Sequence, residues 1–548
     1  MMQNTCFNLI LLIFLFTQMD LAEENKAEKN KRTPKPSIFN DIYFDVNRMN
    51  GIYRNNGICL HNAYKGDYGL EWPKGSGNCL IYAMGPWITA KINNEICVAA
   101  VKWDGTDFWP GQIIETDEAD EYSKETYRWY ELYEGYEKPD GFPDDYHSWP
   151  INQGAPTDYS GNPLLIGDRS AFCVYNDLRG DIVFLDGKLN LEIRQFVFGF
   201  KADNFLQDSQ FIKWQLVNKS GVDWDSTYFS IFVDPDIGKA FDDFIGCDTT
   251  RNLAFCYNST NYDEVYGFSP PAVGIIFLQG PIISNPEKNV SLPDGTILYG
   301  KEMLTMSSFV NWRGGDSPSG DPYHPEQVWT YLHGQWMDYT PITEGGVGTN
   351  PDNPPTMYMF PGEPETGIGW IDNYADERTF LMTVGPFEMA TWIDQDHDSL
   401  AEYGEPGVQD IIVAIIAYRG DNNLNSVTGL KLVADSAKQV YENNFYLKSV
   451  NIGMEYEQKP FEFILEQNYP NPFNPETVIR YVLPVNSHID LSIYNILGQK
   501  VATLVSEEQQ AGINQVRWDA TEFAAGIYLY TMKADHRYIG TKKLILLK

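Results

Sequence analysis

Short hydrophobic runs, rich in aromatic and β-branched residues and punctuated by Gly, Pro, Asn and Asp, recur through the middle of this 548-residue chain. Between 211 and 218, Ile212, Trp214 and Leu216 alternate with Phe211, Lys213 and Gln215, the period-two pattern of a strand with one buried face. Residues 227–234 and 410–418 read as further strands. Strands this short and frequent predict a mainly β chain whose body is an antiparallel β-sandwich. One helix breaks the pattern near 426–443, where Leu430, Ala434, Ala437 and Tyr441 recur at three- and four-residue spacing and Ser426 can cap the start. A shorter stretch, 301–309, also fits a helix. The body divides on this reading into an N-terminal β-rich part, 38–190, and a second β-rich part, 191–455, that carries the helix and the acidic loops.

At the front, residues 7–16 form an apolar run broken only by Asn8. Such a run suits the core of a secretory signal and is too short to cross a bilayer. Residues 1–22 are expected to direct export and then to leave the chain, so that no transmembrane span remains in the mature protein. The charged, Pro-containing stretch 23–37 reads as a linker.

From Phe461 onward the strand pattern sharpens. Ile479, Tyr481 and Leu483 share one face, Ile489, Leu491 and Ile493 share another, and later strands are marked by Val516 with Trp518, by 527–532 and by 544–547. Residues 461–548 are therefore expected to form a small immunoglobulin-like β-sandwich. Within them stand QNYPNPFNP at 467–475, IYNILGQKV at 493–501, Ala511 with Gly512, Trp518 with Asp519, GIY at 526–528 and KKLILLK at 542–548. In order and spacing these motifs resemble the type A C-terminal sorting domain of type IX secretion. The resemblance implies passage through the outer membrane by the type IX machinery, which would engage residues 461–548. It also implies a destination outside the cell or on its outer surface, usually with removal of the domain. Pro470, Pro472 and Pro475 stiffen the entrance, and Gly498 and Gly526 suit tight turns. Segments of the body, including DPDIG at 234–238 and DDFIGCD at 242–248, also resemble blocks of large exported proteins that carry the same sorting domain.

Composition sharpens the picture of the body. The chain has 40 basic and 75 acidic residues, a net charge of −35. From Phe461 on, the sequence holds eight basic against nine acidic residues, so the body carries nearly all of the charge. That excludes nucleic acid and anionic membrane as electrostatic partners. Thirteen of the 14 tryptophans precede the C-terminal domain; core filling explains most of them, and exposed rings would serve a glycan. Six of the seven cysteines lie beyond the signal, and Cys247 with Cys256 is the pair expected to bridge.

Two acidic clusters are candidate metal sites. Asp234, Asp236, Asp242, Asp243 and Asp248 follow an apolar strand, with Pro235 and Gly238 turning the chain between them. Aspartates alternating on a bent loop aim hard oxygens at one point, as Ca²⁺ requires. In the second cluster Asp394, Asp396, Asp398, Glu402 and Glu405 take positions 1, 3, 5, 9 and 12 of a calcium loop, with the Leu400 carbonyl at position 7. Ser399 replaces the glycine of position 6 and no helix pair flanks the segment, so an isolated calcium loop is expected rather than an EF-hand. A solvated acidic surface is the competing reading of both clusters.

No G-x-S-x-G, H-E-x-x-H or Walker motif occurs, and the seven histidines are scattered singly. The expectation is a secreted or surface-displayed structural or binding protein, stabilised by calcium and without a catalytic role, whose ligand is a surface glycan or another protein. The alternative is an extracellular carbohydrate-active enzyme or glycan-binding protein. An open groove lined by Trp and two facing carboxylates would favour the alternative.

Overall fold

The alternation read at 211–218 lies at the centre of a nine-stranded antiparallel sheet. Strand Ser209–Asn218 pairs with Leu191–Gly199 on one side and with Val408–Tyr418 on the other. The ladder continues through Arg169–Asn176 to Tyr130–Tyr133 in one direction. In the other it runs through Ala272–Gln279 and Leu253–Asn258 to Asp243–Asp248. Trp109–Pro110 pairs off the 169–176 strand. A six-stranded sheet packs against it in the order Met306–Trp312, Thr379–Met389, Trp224–Asp234, Ala83–Ile92, Glu95–Lys102 and Gly105–Thr106. Strands from before and after residue 190 thus lie side by side in one body. This computed structural model describes residues 39–547 except 62–68, 104, 116–117, 120–124, 136–144, 159, 179–182, 185–187, 313–317, 397–399, 446–462, 484–485, 511 and 536. The expected signal and linker lie outside the described residues.

Ile212, Trp214 and Leu216 enter the core between the sheets, where they join Trp87, Ile88, Phe229 and Ile231 of the six-stranded sheet. The large rings are core filling here: Trp72, Trp87, Trp214, Trp224 and Trp312 are all fully buried. The expectation that only one face of the 211–218 strand is buried needs correction, because Phe211 is also fully buried. It lies in a second core with Phe196, Phe198, Val427, Leu430, Val433, Ala434, Ala437 and Val440. The last six belong to the helix Asn423–Glu442, which packs on strands 408–418, 272–279 and 253–258. A sheet covered on both faces has strands apolar at nearly every position, and 169–176 and 191–199 are buried throughout.

The helix begins three residues before the expected start. Asn422 caps it by accepting the Asn425 N–H at 2.8 Å. Ser426 sits one turn inside and ties the helix to the preceding chain, donating to the Pro270 carbonyl at 2.9 Å. The helix expected at 301–309 is absent: those residues belong to the strands Ile297–Met303 and Met306–Trp312. A second, short helix occupies Pro325–Leu332 instead.

The expected Cys247–Cys256 bridge is also corrected. Opposite Cys247 stands Ala254, and opposite Cys256 stands Ile245, so the two thiols are diagonal neighbours on one face. Diagonal partners have Cα atoms about 7–8 Å apart, beyond the reach of a disulfide. Both are free and buried, and so are Cys59, Cys97 and Cys173, while Cys79 is a half-buried free thiol.

The C-terminal domain is a sandwich as expected. One sheet holds Ile464–Leu465, Glu476–Leu483 and Gly512–Asp519; the other holds Lys500–Gln509, Ser487–Asn495, Gly526–Ala534 and Arg537–Leu546. Ile479, Tyr481, Leu483, Ile489, Leu491 and Ile493 meet in its core with Trp518 and Tyr530.

Candidate functional site

The loop between strands 379–389 and 408–418 begins on Trp392 and folds back so that positions 1, 3 and 12 of the expected calcium loop meet. Carboxylate oxygens of Asp394, Asp396 and Glu405 all lie within 4.8 Å of one another. Glu405 is fixed at both oxygens. One accepts the Gln395 N–H at 2.8 Å; the other accepts the Trp392 indole N–H at 2.9 Å and the Glu402 N–H at 3.0 Å. Burial pushes the Glu405 carboxyl up, but these hydrogen bonds outweigh it and hold the group below its ordinary range. The Glu402 side chain is exposed and Leu400 half-buried. Glu402 is not among the three carboxylates that meet, Leu400 is expected to act through its carbonyl, and Asp398 lies outside the described residues.

The other cluster divides. Asp234 ends the 224–234 strand of one sheet, and Asp243 begins the 243–248 strand of the other. Asp236 sits in the turn between them and Asp242 at its exit. Burial pushes the Asp234 carboxyl well above its ordinary range, reinforced by Asp236 and Glu377. Burial and Glu377 together push Asp236 up to about 7. Asp243 is raised by burial, against the Ile237 N–H that holds one of its oxygens at 3.0 Å. Asp242 is raised by burial as well. Asp248 stands apart, at the far end of a six-residue strand and so about 16 Å from Asp243 at roughly 3.3 Å per residue. There it pairs with Arg251 at 2.8 Å and lies 3.9 Å from Lys431, pinning the helix 423–442 to the sheet. Among the described residues these aspartates form no trio as tight as that of the second loop.

A groove escaped the sequence reading. Its volume is about 740 Å³, and it is lined by Asp225, Glu388, Lys301 and Tyr403 over a floor that includes Phe387 and Met389. Asp225 and Glu388 are remote in sequence and share the groove because strands 224–234 and 379–389 are neighbours, with Trp224 opposite Met389 and Thr227 opposite Phe387. Glu405 lines its edge, so groove and acidic loop adjoin. No periodicity signals such a meeting.

Residues 467–547 match the family described as the secretion system C-terminal sorting domain. The C-terminal sandwich is a sorting domain. Export through type IX secretion and an extracellular or cell-surface destination follow, as does contact with the secretion machinery. Among the described residues no helix is long and apolar enough to cross a membrane. The entrance and exit motifs of the sorting domain close on each other. Gln467 and Asn471 donate to the Lys543 carbonyl at 2.7 and 3.2 Å, and Asn471 accepts the Ile545 N–H at 2.9 Å. Phe473 and Leu546 form a parallel bridge. Removing either end would therefore open the sandwich along its last strand.

No curated protein matches the chain. Among solved structures it is similar to a polysaccharide lyase, with 7% identity and a TM-score of 0.26 over 90% of this chain and 47% of the lyase. The chain thus spans just under half of that protein. It is similar also to the adhesin domain of Epf from Streptococcus pyogenes, with 6% identity and a TM-score of 0.14 over 62% of this chain and 80% of that one. A third likeness is to dimeric latent PorU from Porphyromonas gingivalis, with 9% identity and a TM-score of 0.15 over 72% and 33%. Likenesses this slight carry no argument about activity.

Proposed function

We propose that the exported body is a structural or binding module without a catalytic role, stabilised by calcium in the 394–405 loop. The observation that supports this most is the meeting of Asp394, Asp396 and Glu405 within 4.8 Å. Three carboxylates at that separation repel one another, and a hard divalent cation turns the repulsion into a cross-link. Asp394 and Asp396 lead the loop and Glu405 closes it, so the cation joins its two ends beside the 408–418 strand. Chelation should then lower the melting temperature of the purified protein and open the loop to protease. A ligand that binds only the folded state adds about 2.7 kcal/mol at a hundredfold excess over Kd. Replacing Asp394 and Asp396 together with Asn should abolish the response of this loop. If that double variant responds to calcium as fully as the parent, the loop is a solvated acidic turn.

The groove beside the loop favours a second reading, a glycan-binding or carbohydrate-active surface. Asp225 and Glu388 supply two carboxylates, and Tyr403 supplies a ring that suits a sugar; among the described residues no Trp lines it. Screening the secreted protein against polysaccharides, with Asp225→Asn as control, tests it: binding or cleavage that the variant loses would favour this reading, and its absence the first.

A further inference from the structure

Asp234, Asp236, Asp242 and Asp243 each keep one buried carboxylate oxygen that no protein donor reaches. Asp243 is fully buried and Asp234 is 5% exposed. An ionised carboxylate taken out of water without a partner costs several kcal/mol. Here four carboxyl oxygens within ten residues are buried without a protein donor. Two bases lie nearby, and Arg378 donates to the Asp243 backbone carbonyl at 3.3 Å. Lys239 is exposed and holds Glu264 at 2.5 Å, and Arg378 is bonded to Asp372 at 2.7 Å.

Asp243 is also aimed at the turn that carries Asp236. The Ile237 N–H holds one Asp243 oxygen, which turns that side chain toward the 235–238 turn. The turn is fastened to the chain before the 83–92 strand, Asp236 N–H to the Leu80 carbonyl at 3.2 Å and Gly238 N–H to the Cys79 carbonyl at 3.1 Å. Asp236 is the neighbour through which the fields of Asp234 and Asp243 meet, and all three carboxylates push the Cys79 thiol upward. Gly238 has a positive φ of 68°, and any side chain there would collide with Asp263, so this position of the turn takes only glycine.

We infer that Asp234, Asp236 and Asp243, with Asp242 at the mouth, form a second cation site, a buried one that takes Ca²⁺ and rivets the two sheets of the body together. Asp234 belongs to one sheet and Asp243 to the other, so one ion held by both resists their separation. Carboxylate oxygens select a hard cation. Cys79 would serve a soft one only as a thiolate, and burial holds it protonated. Asp236 is half-buried, and one of its oxygens is buried without a donor, as those of Asp234 and Asp243 are. The site extends the calcium reading of the 394–405 loop without depending on it.

The test counts Ca²⁺ bound per full-length chain by equilibrium dialysis, with melting curves at matched free calcium. A D394N/E405Q variant, in which the exposed loop is disabled, should still bind one Ca²⁺ and melt lower on chelation. Adding D236N should remove that ion and the remaining shift. D236N is preferred to D243N because its half-buried side chain can change without disturbing a strand, and D234N serves as the second variant. Failure of D394N/E405Q to bind calcium overturns the inference, as does retention of the ion by both D236N and D234N in that background. Preferential binding of Zn²⁺, lost in Cys79→Ser, also overturns it. Failure of the exposed-loop reading looks different: D394N/E405Q would then bind as much calcium as the parent.

Discussion

Glu405 is a carboxylate held ionised by neighbours that a glutamine could not satisfy. Its oxygens accept three N–H groups, so Glu405→Gln places an amide N–H₂ against donors. Hydrogen bonds to a charged group are worth about 1.5–3 kcal/mol, and a loss near the lower end is expected in denaturant unfolding, since the site is only half-buried. Because its folded value is lowered, this contribution is present above the ordinary glutamate range and is lost as pH falls through the folded value. Asp236 has the opposite sign. Its folded value is about 7 against an ordinary value near 4. The folded state therefore keeps a proton that the unfolded state releases. The stability it contributes is complete below pH about 4 and is lost as pH rises through about 7. With chelator present, the melting temperature should fall between pH about 4 and 7 more steeply than in D236N; parallel curves would show that this carboxyl does not titrate there. The thiols give a third residue-scale expectation. Burial pushes Cys97 up to about 11 and Cys59 up to about 12. All six described cysteines should thus resist thiol reagents in the native protein and react on unfolding, with no shift on a non-reducing gel.

At the scale of elements, the helix 423–442 depends on one close approach. A methyl group on Gly429 would press into the Tyr418 ring. Gly to Ala inside a helix ordinarily gains up to about 1 kcal/mol, but overpacking a core costs about 1–3 kcal/mol, so Gly429→Ala should destabilise the body by about 1–2 kcal/mol in chemical unfolding. This same helix marks the limit of what sequence periodicity conveyed. The alternation of Ile212, Trp214 and Leu216 announced a strand and one buried face. Phe211 looked like the exposed side because nothing local records that residues 427–440 return to cover it. The 301–309 stretch is apolar at spacings a helix could use, yet pairing with 282–291 and with 379–389 claims it for two sheets. Local signals were most faithful where the constraint is itself local: the spacing of Asp394, Asp396 and Glu405 within one loop, and the turn forced by Pro235 and Gly238. The groove between Asp225 and Glu388 was invisible because strand adjacency, not spacing, creates it.

For the whole molecule, the sorting domain has its own core, separate from the cores of the body. Deleting residues 461–548 should leave a body that melts as before but is retained inside the cell envelope, as fractionation of a culture would reveal. A truncated body that fails to fold would instead make this domain part of the body's stability.

The position of the 408–418 strand has a kinetic consequence. It is among the last parts of the body to be made, yet it sits in the middle of the nine-stranded sheet, between 209–218 and 272–279. Until it arrives, the two halves of that sheet have no common edge, and closing the loops between them costs chain entropy before any pairing repays it. The body should therefore assemble late and slowly, remaining open until nearly its whole length is available. A chain destined for export gains from being slow to close.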